Sequence, residues 1–292
     1  MSAATILPHS FMRPPQPNRD LCSAKIGTKQ FVRTNYGCGC VAVLDFERTV
    51  WDKTLGETLG GTPDALILEG TWWRERASKA RLGYLTSVRE LPFPDMFVGD
   101  FDGARIAYCC AYGAPRAVEP AHVFTQLGTP LLIQIGTCGV MDRKIGAGTI
   151  AVPRKAVARD GISRHYGAGS SVAFSAQWAD RAEKVLQGLG IKSENTNHLT
   201  WPSLFAQSDA MCAGWAVEGL QTVDMEASAV AAVASRFGQS CIALLSAWDA
   251  LSEGQTFLDP LPAKHQEALR RADKATFEVA LQLAKEVSGR VT

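Results

Sequence analysis

The chain has 292 residues, 46% of them apolar, and a formal net charge of +1. That length buries a sizeable core, as one large α/β domain or two small ones, and a near-neutral chain without charged tails offers nucleic acid no footing. The longest apolar runs fall well short of the ~20 residues that span a bilayer, and Met1–Ser10 lacks the basic and apolar regions of a secretion leader, so a cytoplasmic location with no membrane partner is expected.

The first twenty residues hold Pro8, Pro14, Pro15 and Pro17 and read as irregular. Eight cysteines follow, from Cys22 to Cys241, with no CxxC pair; Cys38-Gly39-Cys40 has no further ligands near it for a metal. Cys109, Cys110 and Cys241 lie in apolar runs, where cysteine is a small buried hydrophobe, and reduced thiols are expected. Residues 1–60 are expected to form an extension that packs on the core or on a partner subunit, with a short helix over Thr49–Gly61. Residues 61–292 are expected to form the main domain.

From Ala65 the pattern is regular. Ala65–Leu68 predicts a strand, Trp72–Leu82 a helix and Ala104–Ala111 a second strand. A helix from Pro115 to about Leu127 leads to the strand Leu131–Ile135 and a small-residue loop, Gly136-Thr137-Cys138-Gly139. Gly148–Val157 is β-rich but broken by Pro153. Ala176–Gly188 has helical spacing, Ile191–His198 reads as extended and Ser208–Gly219 as helical. Thr222–Met225 leads into a small-residue helix, Glu226–Phe237, then a strand, Cys241–Ser246, and an amphipathic helix from Ala263 to about Val287. Strands alternating with helices of this length predict an α/β fold: a single domain with a central mixed, twisted β-sheet flanked by helices.

Four segments stand at predicted strand ends, where open α/β sheets bind ligands. The Gly-Thr-Cys-Gly loop offers backbone N–H groups and a hydroxyl. Gly70 permits close backbone approach, and Arg74 one helical turn on can grip an oxyanion. Val223-Asp224-Met225-Glu226 puts carboxylates at the start of a helix too apolar to be exposed, so Glu226 needs buried partners such as sugar hydroxyls. Asp249 closes a hydrophobic strand, where desolvation would lift its pKa toward that of a useful acid.

Together these segments resemble the nucleoside phosphorylase family, the hexameric purine nucleoside and uridine phosphorylase type, over roughly Ala65–Val287. Ile135–Gly139 looks like its phosphate loop, and Val223–Ser228 is close to its ribose-binding Val-Glu-Met-Glu-Ala motif. Arg159–Ser163 with His165-Tyr166 is similar to a stretch of the uridine phosphorylase branch. The resemblance implies that Gly70, Arg74 and Thr137 bind phosphate and that Met225 and Glu226 hold the ribose. It also implies that Cys138, Gly139, Phe205 and Asp249 line the base pocket, with Asp249 and Glu226 catalytic. Gln134 stands at a phosphate-binding position where the phosphorylases carry arginine, and Thr71-Trp72 replaces the Asp-Pro of the family's Gly-Asp-Pro-x-Arg motif.

The implied reaction cleaves a nucleoside, with purines favoured by Asp249, using phosphate as co-substrate and no metal or organic cofactor. Cleavage by water, which the uncharged Gln134 favours, and nucleoside binding without catalysis are the alternatives. A homo-oligomer is implied, a dimer or trimer of dimers, with His9, Arg81 and Arg89 as candidates for lending to a neighbouring site.

Overall fold

The computed structural model describes residues 46 and 48–291, apart from 252, 253, 255 and 257. The prolines of the N-terminus, Cys22, the Cys38–Cys40 pair and His9 lie outside these residues, as does most of the expected extension. The remainder of that extension includes a helix, α1 (Arg48–Leu59), which buries Trp51, Leu55 and Leu59.

The long apolar runs become the middle of one mixed sheet. Strand β1 (Ala65–Gly70) pairs in parallel with β4 (Ala104–Cys110) on one side and with β5 (Leu131–Val140) on the other. Strand β12 (Ser240–Ala250) lies parallel to β5 on its second edge. These strands carry apolar residues at successive positions because both faces are covered. Leu66, Leu68 and Leu132 face α3 (Ala114–Gln126) and α6 (Ala227–Arg236). Ile67, Ile133 and Ile135 face α4 (Ala176–Gly188) and α7 (Ala263–Val291).

Two strands beyond β4 went unforeseen, as did a short one further along the chain. β2 (Thr86–Glu90) and β3 (Met96–Phe101) extend the β4 edge antiparallel. Every residue of β2 is exposed, so it has no buried face to mark it in the sequence. The run interrupted by Pro153 splits into β6 (Ile150–Ala151) and β7 (Lys155–Ala158). Past β7 the sheet continues with β8 (Ser171–Ala173), and a short β9 (Ser193–Glu194) pairs with β6. Between β7 and β5 run β10 (His198–Thr200) and β11 (Thr222–Asp224). The expected helix after β1 begins two residues late, as α2 (Arg74–Leu82), and α5 (Asp209–Val217) is capped by the Ser208 hydroxyl.

The small-residue loop after Ile135 is a correction. Gly136–Gly139 stays in strand conformation because β12 pairs with β5 along its whole length, to Val140. On the opposite edge β5 changes partners. Parallel β1 ends where Gly70 meets Gly136, and antiparallel β11 begins where Val223 meets Gly139. Thr137 and Cys138 lie in the interval between them.

No helix among the described residues is long and apolar enough to cross a membrane. Cys109, Cys110, Cys138, Cys212 and Cys241 are free thiols.

Candidate active site

The change of partners along β5 creates the opening around which the site is built. Glu226 occupies the N-cap position of α6, but it does not cap the helix. Asp224 does so instead: its Oδ2 accepts from the N–H groups of Glu226 at 3.1 Å and Ala227 at 2.7 Å. The Thr200 hydroxyl donates to Asp224 Oδ1 at 2.7 Å, and His198 Nε2 lies 2.9 Å from the same oxygen. With the cap supplied by Asp224, the Glu226 side chain is free to turn into the opening.

There it is buried at 5% exposure, and the Gly113 N–H donates to its Oε1 at 2.5 Å. Gly113 precedes α3, so the carboxylate meets the positive end of that helix. Its other oxygen lies over Gly70, where a Cβ would stand only 2.6 Å away. Glycine is therefore required by close approach at Gly70, and at Gly113 by a φ of +85°. Burial, and secondarily the charge of Asp224, pushes the Glu226 pKa upward.

A second buried carboxylate buttresses α6. Asp160 accepts from the hydroxyls of Ser163 and Ser228 at 2.6 Å, and from the N–H groups of Ile162 and Ser163 at 2.7 Å. Burial acts to raise its pKa, but these hydrogen bonds outweigh it and hold the carboxyl below its usual range. The Arg159–Tyr166 stretch thus supports the helix that carries Glu226.

Asp249 sits near the end of β12, after a register shift opposite Gly139. It is 7% exposed, and desolvation lifts its pKa to about 6. With Trp248 and His265 it lines a hollow of about 180 Å³. Cys138 lies under the influence of both ends of the site. Burial first, then the charges of Asp224 and Asp249, push its thiol well up, and Sγ rests 3.8 Å from the Leu245 carbonyl. It is a closed, unreactive wall. Gly139 packs so tightly that a Cβ would meet Leu251 at 2.7 Å. Thr137 is exposed and Met225 half-buried.

Two expected phosphate ligands are turned elsewhere. Arg74 pairs with Asp95 at 2.8 Å on the surface. Gln134 is fully buried beneath the opening: its Nε2 donates to the Ile135 carbonyl, and its Oε1 has no partner. Arg81, a candidate for lending to a neighbour, is also corrected. It is locked inside by a bidentate pair with Glu69, both bonds at 3.0 Å, and by Asp273 at 2.6 Å. Arg89 reaches the Leu59 carbonyl at 3.4 Å.

Phe205 is 76% exposed and lies against Trp72, which in turn meets Tyr112. Gly113, Trp72 and Tyr112 were missed in the sequence. The signal was there: all three follow the carboxyl ends of β1 or β4, as the expected residues do. A hollow of about 890 Å³ beside α5 is lined by Cys212, Leu220 and Gln221 and not by Glu226, Gly70 or Thr137.

Buried acids stand near strand ends of this mixed sheet, and the comparisons with known proteins place the chain among enzymes of the nucleoside phosphorylase and nucleosidase class. A family model described as the phosphorylase superfamily matches residues 93–285, more than half of the chain, and the chain belongs to that family. It is 26% identical over 162 residues to a DeoD-type purine nucleoside phosphorylase of Alkaliphilus metalliredigens, covering 54% of this chain and 70% of the relative. It is 24% identical over 192 residues to a guanosine phosphorylase of Halorubrum lacusprofundi, covering 63% and 78%. The solved structure of uridine phosphorylase from Vibrio fischeri superposes with a TM-score of 0.67 at 20% identity, over 78% of this chain and 94% of that one.

Proposed function

We propose that the protein cleaves the N-glycosidic bond of a purine nucleoside with inorganic phosphate, releasing free base and pentose 1-phosphate. The observation that carries this reading is the Glu226 carboxylate, held between Gly70 and the Gly113 N–H at the partner switch of β5. A buried carboxylate without a cationic partner gains from hydroxyl donors, and a vicinal sugar diol supplies two. Relatives named as purine nucleoside and guanosine phosphorylases support the substrate class.

In the reaction a phosphate oxygen bonds to C1′ while the C1′–N bond breaks and its electron pair passes to the base. Positive charge develops on the sugar and negative charge on the leaving base. Asp249, whose raised pKa keeps a fraction of it protonated near neutral pH, delivers a proton to a ring nitrogen of the base. Thr137, exposed beside the end of β1, is the hydroxyl we assign to the phosphate. The chemistry calls on phosphate as co-substrate and on no metal or organic cofactor.

The placement of Gln134 and Arg74 favours a second reading, in which water replaces phosphate, since Gln134 is uncharged and buried and Arg74 is paired with Asp95. A panel of inosine, guanosine, adenosine and uridine, incubated with and without phosphate, separates the two. Phosphate-dependent ribose 1-phosphate is the expected product. Free ribose formed at equal rate without phosphate establishes the hydrolase, and no turnover by folded protein removes both.

A further inference from the structure

Three aromatic rings crowd the mouth of the site. Trp72, Tyr112 and Phe205 are 42%, 37% and 76% exposed, and a cluster of large rings left at the surface marks a place of contact. The chain itself ties them to the site. Trp72 stands two residues beyond Gly70, and Tyr112 immediately precedes Gly113, the two glycines that frame the Glu226 carboxylate.

The rings differ in how firmly they are held. Tyr112 meets Trp72 edge to face, with centroids 5.8 Å apart and planes at 65°. The two side chains are also hydrogen-bonded, and indole N–H is the only polar group that Trp72 can donate. Trp72 is thereby pinned along one edge. Phe205 lies 5.5 Å from Trp72 at 35°, on a 3-10 turn, Leu204–Ala206, that buries no residue. It is the more exposed ring of the pair.

We propose that Trp72 determines substrate specificity: it is a fixed stacking platform that, with Phe205 opposite, clamps the planar base. The proposal rests on the nucleoside-cleaving reading above and extends it to a residue that stands where the family motif has proline. A base between two rings needs about 7 Å, roughly 3.5 Å on each face. The Trp72–Phe205 pair reaches that separation by a small outward swing of Phe205, whose ring is largely in solvent. Stacking tolerates any base and strengthens with overlapping ring area, so the clamp favours purines over pyrimidines without reading a hydrogen-bond pattern.

The test compares wild type with Trp72→Leu and Trp72→Phe, using inosine and uridine as substrates and hypoxanthine as ligand in titration calorimetry. Circular dichroism verifies folding. Trp72→Leu is expected to raise KM for inosine and weaken hypoxanthine on the order of tenfold, with a smaller effect on kcat and on uridine, and Trp72→Phe to restore most of the loss. Should Trp72→Leu fail to fold, Phe205→Leu on the surface turn carries the same expectation. Unchanged KM and hypoxanthine affinity in the folded variants overturn the proposal, and a changed oligomeric state by light scattering in those same variants would assign the cluster to a subunit contact. The two readings fail separately. Wild type that binds hypoxanthine through Trp72 yet cleaves neither nucleoside loses only the reaction. Wild type that cleaves inosine with KM indifferent to Trp72 loses only the platform, and wild type that neither binds nor cleaves loses both.

Discussion

A carboxyl lifted to about 6 by burial, as at Asp249, keeps about a tenth of its protons at neutral pH, which is enough to serve as an acid. We expect kcat to fall as pH rises above about 6. Asp249→Asn should abolish that limb and lower kcat by about 100-fold or more, as read from a pH–rate profile. The same shift sets a stability effect of defined sign. The folded pKa is raised, so the stabilising contribution is complete below the ordinary 3.8 and is lost as pH climbs through about 6. Asp249→Asn should therefore stabilise the fold above pH 6, by on the order of 3 kcal/mol at most, and change little near pH 3.8, as measured by urea unfolding at both pH values. Gly70→Ala tests the other end of the site. A methyl group there would stand 2.6 Å from a Glu226 oxygen, so the carboxylate must move, and kcat/KM should drop on the order of 100-fold in a folded protein. Arg74 gives a third case, because an exposed ion pair such as that with Asp95 contributes ~1 kcal/mol or less and yields to a dianion. Asp95→Asn should lower KM for phosphate several-fold and Arg74→Ala should raise it. A phosphate KM indifferent to both removes Arg74 from the site.

The junction of β11 and α6 divides its work between two acids two residues apart. Asp224 holds the helix start and joins it to β10; Glu226 faces the opening. Asp224→Ala strands two helix N–H groups and the Thr200 hydroxyl, and should cost about 3–5 kcal/mol in urea unfolding. That α6 would be buried was legible in its run of small apolar residues, and with it the need for a partner to Glu226. Which acid capped and which faced the ligand was not legible, since that depends on Thr200 and His198, more than twenty residues away. The 3.6-residue spacing of α4 and α7 placed those helices closely, whereas Gly136–Gly139 read as a loop. The two glycines there outweigh the strand preference of the single Thr137, and the extended conformation comes from pairing with β12 along one edge.

Across the whole molecule, alternation of apolar runs and helices was enough to yield the fold class, because parallel strands covered on both faces show themselves as apolar runs. The edge strands β2 and β3 escaped for the opposite reason, with β2 exposed at every position. Gly70, Thr137, Glu226 and Asp249 could be named as candidates from the sequence because each closes or follows an apolar run. Arg81 shows where that reading fails. A charged residue on a helix looks solvated until the fold sets Glu69 and Asp273 against it, and Phe277 under its guanidinium at 5.1 Å. The partner switch along β5 has a dynamic consequence as well. This strand crosses the centre of the sheet, so most of its amides should exchange hydrogen for deuterium only on global unfolding. Between Gly136 and Gly139 one edge has neither β1 nor β11, and the amide of Thr137 or Cys138 that faces it should exchange orders of magnitude faster than its neighbours. Phosphate should slow that single amide, and uniform protection from Leu131 to Val140 in the free protein would contradict this. The slowest strand to open would then hold a permanently open position, and ligand could reach the backbone without any loosening of the fold.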